Sequence, residues 1–191
     1  MIKRIKGIIQ ESIKVKEELL REQIFNINQA ALVIISSLKK GGKVIIFGNG
    51  GSAADSQHIV AELIGRFKID RKPLPAIALT TNTSSLTALA NDYGYETVFQ
   101  KQIEALGDKR DVAIGISTSG KAKSVINGII TAKKIGMKTI SLTGKRGIYF
   151  AKLTDVSIIV PSEITARIQE AHVVIGHILS ELIEEAFFKN K

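Results

Sequence analysis

His58 and Glu62 stand four residues apart, a spacing that on a helix sets an imidazole and a carboxylate side by side on one face. Such a pair can share a metal ion, hold a substrate or divide a proton transfer, and an ordinary helix surface has the same spacing. The only other histidines, His172 and His177, lie near the C-terminus. His177 stands among Ile175, Gly176, Ile178 and Leu179, a setting that suits a core histidine as well as a ligand. Gln169-Glu170 comes about two turns earlier, and eight residues at 1.5 Å each put Gln169 and His177 roughly 12 Å apart on an ideal helix. One metal joins them only through long reaches, a kink or help from another subunit.

A second group of residues suits an anion. Val44-Ile45-Ile46-Phe47 is short, β-branched and apolar on both faces, as expected of a strand buried in a parallel sheet. In Gly48-Asn49-Gly50-Gly51-Ser52, which follows, glycines let the chain turn sharply and bring bare N–H groups to a phosphate. Ser52 is expected to cap the next helix, whose N-terminus favours an anion. The loop lacks the Gly-Lys-Ser/Thr of a Walker loop and the Gly-x-Gly-x-x-Gly of a dinucleotide fold, and turns without a ligand favour Gly and Asn too. Residues 111–116 read as another buried strand, running into Ser117-Thr118-Ser119-Gly120 ahead of a helical pattern over 124–135. Those hydroxyls are good donors to phosphate oxygens. Two such loops fit a site at the switch point of an open α/β sheet.

The elements that must position these loops follow from periodicity. Residues 2–40 read as two helices, with apolar positions at Ile5, Ile9 and Ile13, then Ile24, Ile27, Ala31, Ile34 and Leu38. Strands at 43–47, 76–79, 111–116, 138–142 and 156–159 alternate with helices, and a long helix over about 166–188 closes the chain. This order predicts one α/β domain over 1–191, with a helical segment (1–40) before the core (41–191). That core is a doubly wound, three-layer αβα sandwich on a five-stranded parallel sheet.

Composition narrows the class. At 191 residues the chain is one domain long enough to bury a substantial core. No run of about 18 apolar residues occurs, and Met1-Ile2-Lys3-Arg4 leads into an amphipathic helix rather than a signal peptide. A cytoplasmic protein with no membrane partner is expected. The absence of cysteine excludes disulfides and thiolate metal sites. The 27 Lys+Arg against 18 Asp+Glu give +9, which would steer a sugar phosphate or a nucleic acid. With 5% aromatics and no arginine-rich stripe, no nucleic-acid partner is expected, and a solvated lysine surface accounts for the charge.

In combination the motifs resemble the phosphoheptose isomerases of the sugar isomerase (SIS) domain superfamily. The resemblance is carried by Gly48-Asn49-Gly50-Gly51-Ser52, His58 with Glu62, Gly65-Arg66, Pro75-Ala76-Ile77-Ala78, Asn91-Asp92-Tyr93-Gly94, Gly115-Ile116-Ser117-Thr118-Ser119-Gly120, Leu142-Thr143-Gly144 and Ala166-Arg167-Ile168-Gln169-Glu170. It runs from about Gly41 to the C-terminus, the N-terminal helices matching in character. It implies a SIS-like fold and the conversion of sedoheptulose 7-phosphate to D-glycero-D-manno-heptose 7-phosphate, the first step towards nucleotide-activated heptose. It further implies Glu62 as the base and His177 as the acid of an enediol mechanism, and one Zn²⁺ per subunit on His58, Glu62, Gln169 and His177. A carboxylate held by a cation is a poorer base, so the metal's role there is to order the site or polarise a substrate oxygen.

By the same resemblance the phosphate meets Ser52, Ser117, Thr118 and Ser119. The sugar meets Asn49, Gly50, Gly51, Glu62, Asn91, Asp92 and Gln169, and a homotetramer completes each site from neighbouring subunits. Ala122 departs from the pattern, for many family members carry a serine there; Lys121, Lys123 and Ser124 are the residues placed to compensate. The alternative reading is a non-catalytic SIS protein that binds a sugar phosphate or a replication-initiator partner. Relatives of that kind keep the Arg-Ile-Gln-Glu run but lack the counterparts of Glu62 and His177, both present here.

Overall fold

Val44, Ile45, Ile46 and Phe47 are all fully buried, as a strand covered on both faces requires. In the computed structural model, which describes residues 1–189, they form the second strand from one edge of the sheet. Two helices lead the chain, α1 (Ile2–Glu22) and α2 (Ile24–Lys39), followed by β1 (Val44–Gly48), α3 (Gly51–Ile64), β2 (Ala76–Ala78), α4 (Thr83–Tyr93), α5 (Val98–Leu106) and β3 (Val112–Ser117). Then come α6 (Lys123–Ile135), β4 (Lys138–Gly144), α7 (Ile148–Ala151), β5 (Val156–Val160) and α8 (Thr165–Phe188). The five strands are parallel throughout, in the order β2-β1-β3-β4-β5.

Because strand side chains alternate between faces, the sheet separates two cores. Val44, Ile46, Ile114 and Ile140 pack with α1, α2, α3 and α8, whereas Ile45, Phe47 and Ala113 pack with α4, α5, α6 and α7. The expected three-layer sandwich is therefore present, with strand ends displaced by one or two residues. β4 reaches Gly144 because Thr143 and Gly144 still pair with Ile159 and Val160. Asp111 stands outside β3. Its carboxylate accepts from the Lys43 main chain (2.9 Å), the Asp108 main chain (2.9 Å) and Lys43 Nζ (2.6 Å), fastening the start of β1 to the start of β3.

Helix α1 docks by its second half, where Val15 and Leu19 are buried. Ser12 Oγ donates to Glu170 Oε2 at 2.6 Å, and Arg167, itself buried, meets Glu11 at 3.6 Å, so α1 is tied to the start of α8. The rest of its apolar stripe, Ile2, Ile5, Ile9 and Ile13, is 50% to 72% exposed. Among the described residues no helix is long and apolar enough to cross a membrane.

Candidate active site

Helix α3 leaves β1 towards one face of the sheet and α6 leaves β3 towards the other, so the loops after these neighbouring strands diverge. The gap they open, a cup of about 170 Å³, is walled by Asn49, Ser52, Ile116, Ser117, Thr118, Ser119 and Ala122. This is the switch point expected of the strand order. A larger cavity of about 610 Å³ lies beside β2, α4 and α5, lined by residues such as Ile77, Leu89 and Leu106. Its lining includes no histidine or carboxylate, so the convergence of polar groups, rather than volume, locates the site.

Each loop is shaped by a glycine the turn demands. Gly50 has φ 56° and Gly120 φ 65°, the left-handed region where a side chain is strained, and a Cβ on Gly120 would come within 2.4 Å of Gly147 Cα. Ser52 does not cap α3 as expected: the helix starts at Gly51, with Gly50 as its N-cap, two residues earlier than a Ser52 cap requires. The Ser52 side chain is instead in the wall of the cup, 4% exposed, and its hydroxyl forms no hydrogen bond among the described residues. Ser117 Oγ accepts from the Gly120 main chain at 3.1 Å, which leaves its proton free for an anion. Neither α3 nor α6 has a side-chain cap, whereas Asn82 caps α4 by accepting from Ser85 N at 3.0 Å. Two helix N-termini beside one cup thus offer N–H groups and positive dipole ends to an anion.

The second cluster arises where α3 and α8 lie close together. A Cβ on Gly176 would meet the Ile59 side chain at 2.7 Å and one on Gly51 would meet the Gln169 amide at 2.1 Å, so a larger residue at either position would have to displace a side chain of the facing helix. Each glycine neighbours or precedes a site residue, and the close packing brings His177 Nε2 to 3.1 Å from His58 Nε2, with His58 Nε2 3.0 Å from Glu62 Oε1. Each of the three residues offers a ligand atom within 4.8 Å of the others. Edges near 3 Å suit a tetrahedral Zn²⁺ with bonds of about 2.0 to 2.1 Å, and two imidazoles with a carboxylate are a known zinc donor set. Gln169 stands apart from these three in the chain, its amide against Gly51 at the start of α3. Of the expected four-residue set, His58, Glu62 and His177 stand together, and Gln169 lies eight residues before His177 on α8.

Several groups at the site had little or no signal in the sequence. Asp55, one turn before His58, is buried with Oδ2 unpartnered. Burial lifts its carboxyl to about 6, partly opposed by His58. Its three-residue spacing from both Ser52 and His58 was the available clue. Tyr95 Oη donates to Asn49 Oδ1 at 2.8 Å, and Asn49 Nδ2 donates to Ser124 Oγ at 3.0 Å, which links the two loops to the segment after α4. Arg71 donates to the carbonyls of Glu62 and Leu63 at 2.8 Å each and to Glu184 Oε2 at 2.9 Å, bracing the end of α3 that carries Glu62. Asn91 and Asp92 are exposed and hydrogen-bonded to each other at 2.8 Å, with no bond to the cup. His172 is a core residue. Burial lowers its pKa to about 4, slightly opposed by the Thr143 main chain, and neither ring nitrogen completes a hydrogen bond.

The doubly wound sheet, with a hydroxyl-lined cup at its switch point and a His58, Glu62 and His177 cluster beside it, is that of a SIS domain, whose family model matches residues 9–144. A phosphoheptose isomerase of Aquifex aeolicus is 54% identical over 188 residues, covering 97% of each chain. The solved phosphoheptose isomerase of Neisseria gonorrhoeae superposes with a TM-score of 0.91 at 42% identity, and that of Francisella tularensis with 0.93 at 37%, each over 96% of this chain and 98% of the other. The chain belongs to the phosphoheptose isomerase family.

Proposed function

We propose that the protein converts sedoheptulose 7-phosphate to D-glycero-D-manno-heptose 7-phosphate, with Glu62 and His177 carrying the protons. The observation that bears most weight is that both groups converge beside His58 on a helix whose other end forms the phosphate cup. His58 lies six residues beyond Ser52, about 9 Å along α3 at 1.5 Å per residue, and side chains on a helix lean back towards its N-terminus. A substrate anchored by phosphate in the cup therefore extends its far end along α3 towards the cluster.

The Glu62 carboxylate takes a proton from C1 of the ketose. The C1–H electrons become the C1=C2 bond, and the C2 carbonyl electrons move to O2, which takes a proton from His177. The neutral imidazole then accepts the O1 proton, C1=O forms, and Glu62 returns its proton to C2. No atom is gained or lost, as an isomerisation requires. Ser52, Ser117, Thr118 and Ser119 hold the phosphate, and Asn49, Gly50, Gly51, Asn91, Asp92 and Gln169 are assigned to the sugar. One Zn²⁺ per subunit, on His58, Glu62 and His177, would order these donors and supply positive charge to a substrate oxygen. Gln169 joins that set only from another position or another subunit.

The exposed stripe Ile2, Ile5, Ile9 and Ile13 supports self-association, which we assign as a homotetramer. The setting is cytoplasmic, with a small-molecule substrate and neither membrane nor nucleic acid as partner. Turnover of sedoheptulose 7-phosphate by the purified chain, with and without added Zn²⁺, tests the proposal. Conversion is expected; binding of the sugar phosphate without conversion under either condition would replace it with a sensing or partner-binding role.

A further inference from the structure

The last carbonyls of a helix need donors from outside it, and α3 lacks the usual ones. Its last turn carries no basic residue, and Gly65 after it is extended, with φ −79°, rather than left-handed. Arg71, seven residues beyond the helix, supplies them instead. Its guanidinium donates to the Glu62 and Leu63 carbonyls and, through Nε, to Glu184 on α8. The Arg71 and Glu184 side chains are 1% and 4% exposed, so this ion pair lies inside the protein.

The second Glu184 oxygen accepts from the Lys68 main chain at 3.0 Å. Burial alone would raise the Glu184 carboxyl, but the bonds from the Lys68 main chain, Arg71 and the Phe67 main chain outweigh it and hold it below its ordinary value, so the pair is charged. Segment 65–71 is thereby tied to both α3 and α8, and it sets the Phe67 ring against His177, with centroids 5.8 Å apart. The segment touches both proposed proton-transfer groups by separate routes, Glu62 through its carbonyl and His177 through Phe67. As a device for stability alone such a pair is a poor choice, because desolvating two charges offsets most of their attraction and apolar residues of similar volume often serve as well.

We propose that Arg71 and Glu184 are positioning residues: the pair fixes the end of α3 and the Phe67 ring so that Glu62 and His177 stay aligned for proton transfer across the gap between α3 and α8. The inference rests on the reading of Glu62 and His177 as the acid/base groups.

Arg71→Met/Glu184→Leu replaces the pair with apolar side chains, a change that is often neutral or stabilising, and so separates folding from positioning. Steady-state kinetics on sedoheptulose 7-phosphate should show kcat lower by about ten-fold or more, with KM within roughly two-fold of the parent. Arg71→Lys keeps the charge without the planar fork and should show the same split, which keeps the test in force if the double variant does not fold. Proton NMR of the metal-free chain at fixed pH reads the geometry without turnover. The His177 ring resonances, identified with His177→Gln, should move in the double variant and in Phe67→Leu, because the Phe67 ring current acts on them. Lys43→Met breaks the tie to Asp111 at the far end of β1 and should lower the thermal midpoint while leaving kcat and those resonances unchanged. Variants of Arg71 that keep the parent's kcat and His177 resonances would overturn the proposal and leave the pair a structural tie. A parent chain without turnover, whose His177 resonances still move as expected in the variants, would overturn the acid/base reading alone.

Discussion

Glu62 and Tyr95 act at different removes from the chemistry. Glu62→Gln keeps the shape and hydrogen-bonding capacity of the side chain but cannot accept the C1 proton. It should lower kcat by about 10²-fold or more, with the affinity for sugar phosphate little changed. Near-normal turnover would remove Glu62 from the mechanism. Tyr95 touches Asn49 rather than the reacting carbons. Tyr95→Phe deletes one hydrogen bond worth about 1 kcal/mol, so KM should rise about five-fold while kcat holds, as steady-state kinetics would show. The pairing of His58 with Glu62 was legible because spacing on a helix is local, whereas the role of Glu62 as base rests on the family resemblance. Tyr95 was not legible, because its partner is 46 positions away and no local pattern encodes that contact.

At the scale of elements, the site depends on how closely α3 and α8 pack. Gly176→Ala would place a methyl 2.7 Å from the Ile59 side chain, next to the residue pair that brings His58 and His177 together. Overpacking of this kind costs about 1 to 3 kcal/mol, and it should widen the cluster, so a urea melt and a turnover assay should fall together. Gly176→Ala combined with Ile59→Val should recover part of both. Gly7→Ala on α1 has nothing within 4 Å and should instead stabilise by roughly 0.5 to 1 kcal/mol through helix propensity. The glycines were visible in the sequence, but a glycine inside a helix reads as tolerated or as required only once its neighbour is known.

For the whole molecule, pH acts through two buried groups whose effects run in opposite directions below neutrality. His172 is kept neutral by the fold, with its pKa lowered from 6.5 to about 4. Its contribution is therefore complete above pH 6.5 and is lost as pH falls towards 4. Asp55 runs the other way: raised from 3.8 to about 6, it favours the fold below pH 3.8 and that contribution is lost as pH rises through about 6. The two partly cancel in the parent. His172→Leu should reduce acid sensitivity between pH 6.5 and 4 by on the order of 3 kcal/mol, measured as denaturation midpoints against pH. Association is the other molecular property at stake. Ile5→Glu/Ile9→Glu places charges on the exposed α1 stripe, and light scattering should then show a smaller species with the fold intact by circular dichroism.

The sequence by itself determined the order of elements, the two anion loops and the His58–Glu62 pair, because alternation, glycine-rich turns and helical spacing are properties of short stretches of chain. Its boundary errors have the same origin. Ser52 reads as a cap and Asp111 as part of a strand until the Gly50 turn and the bonds from Asp111 to Lys43 and Asp108 are seen. Only the tertiary structure showed the contact of His177 with His58, the Gln169 side chain against Gly51, and the places of Tyr95, Asp55 and Arg71 beside Asn49, His58 and Glu62. Each of those placements is set by how α3 and α8 pack, or by loops meeting across the sheet. Such contacts join residues far apart in the chain, so no local pattern specifies them.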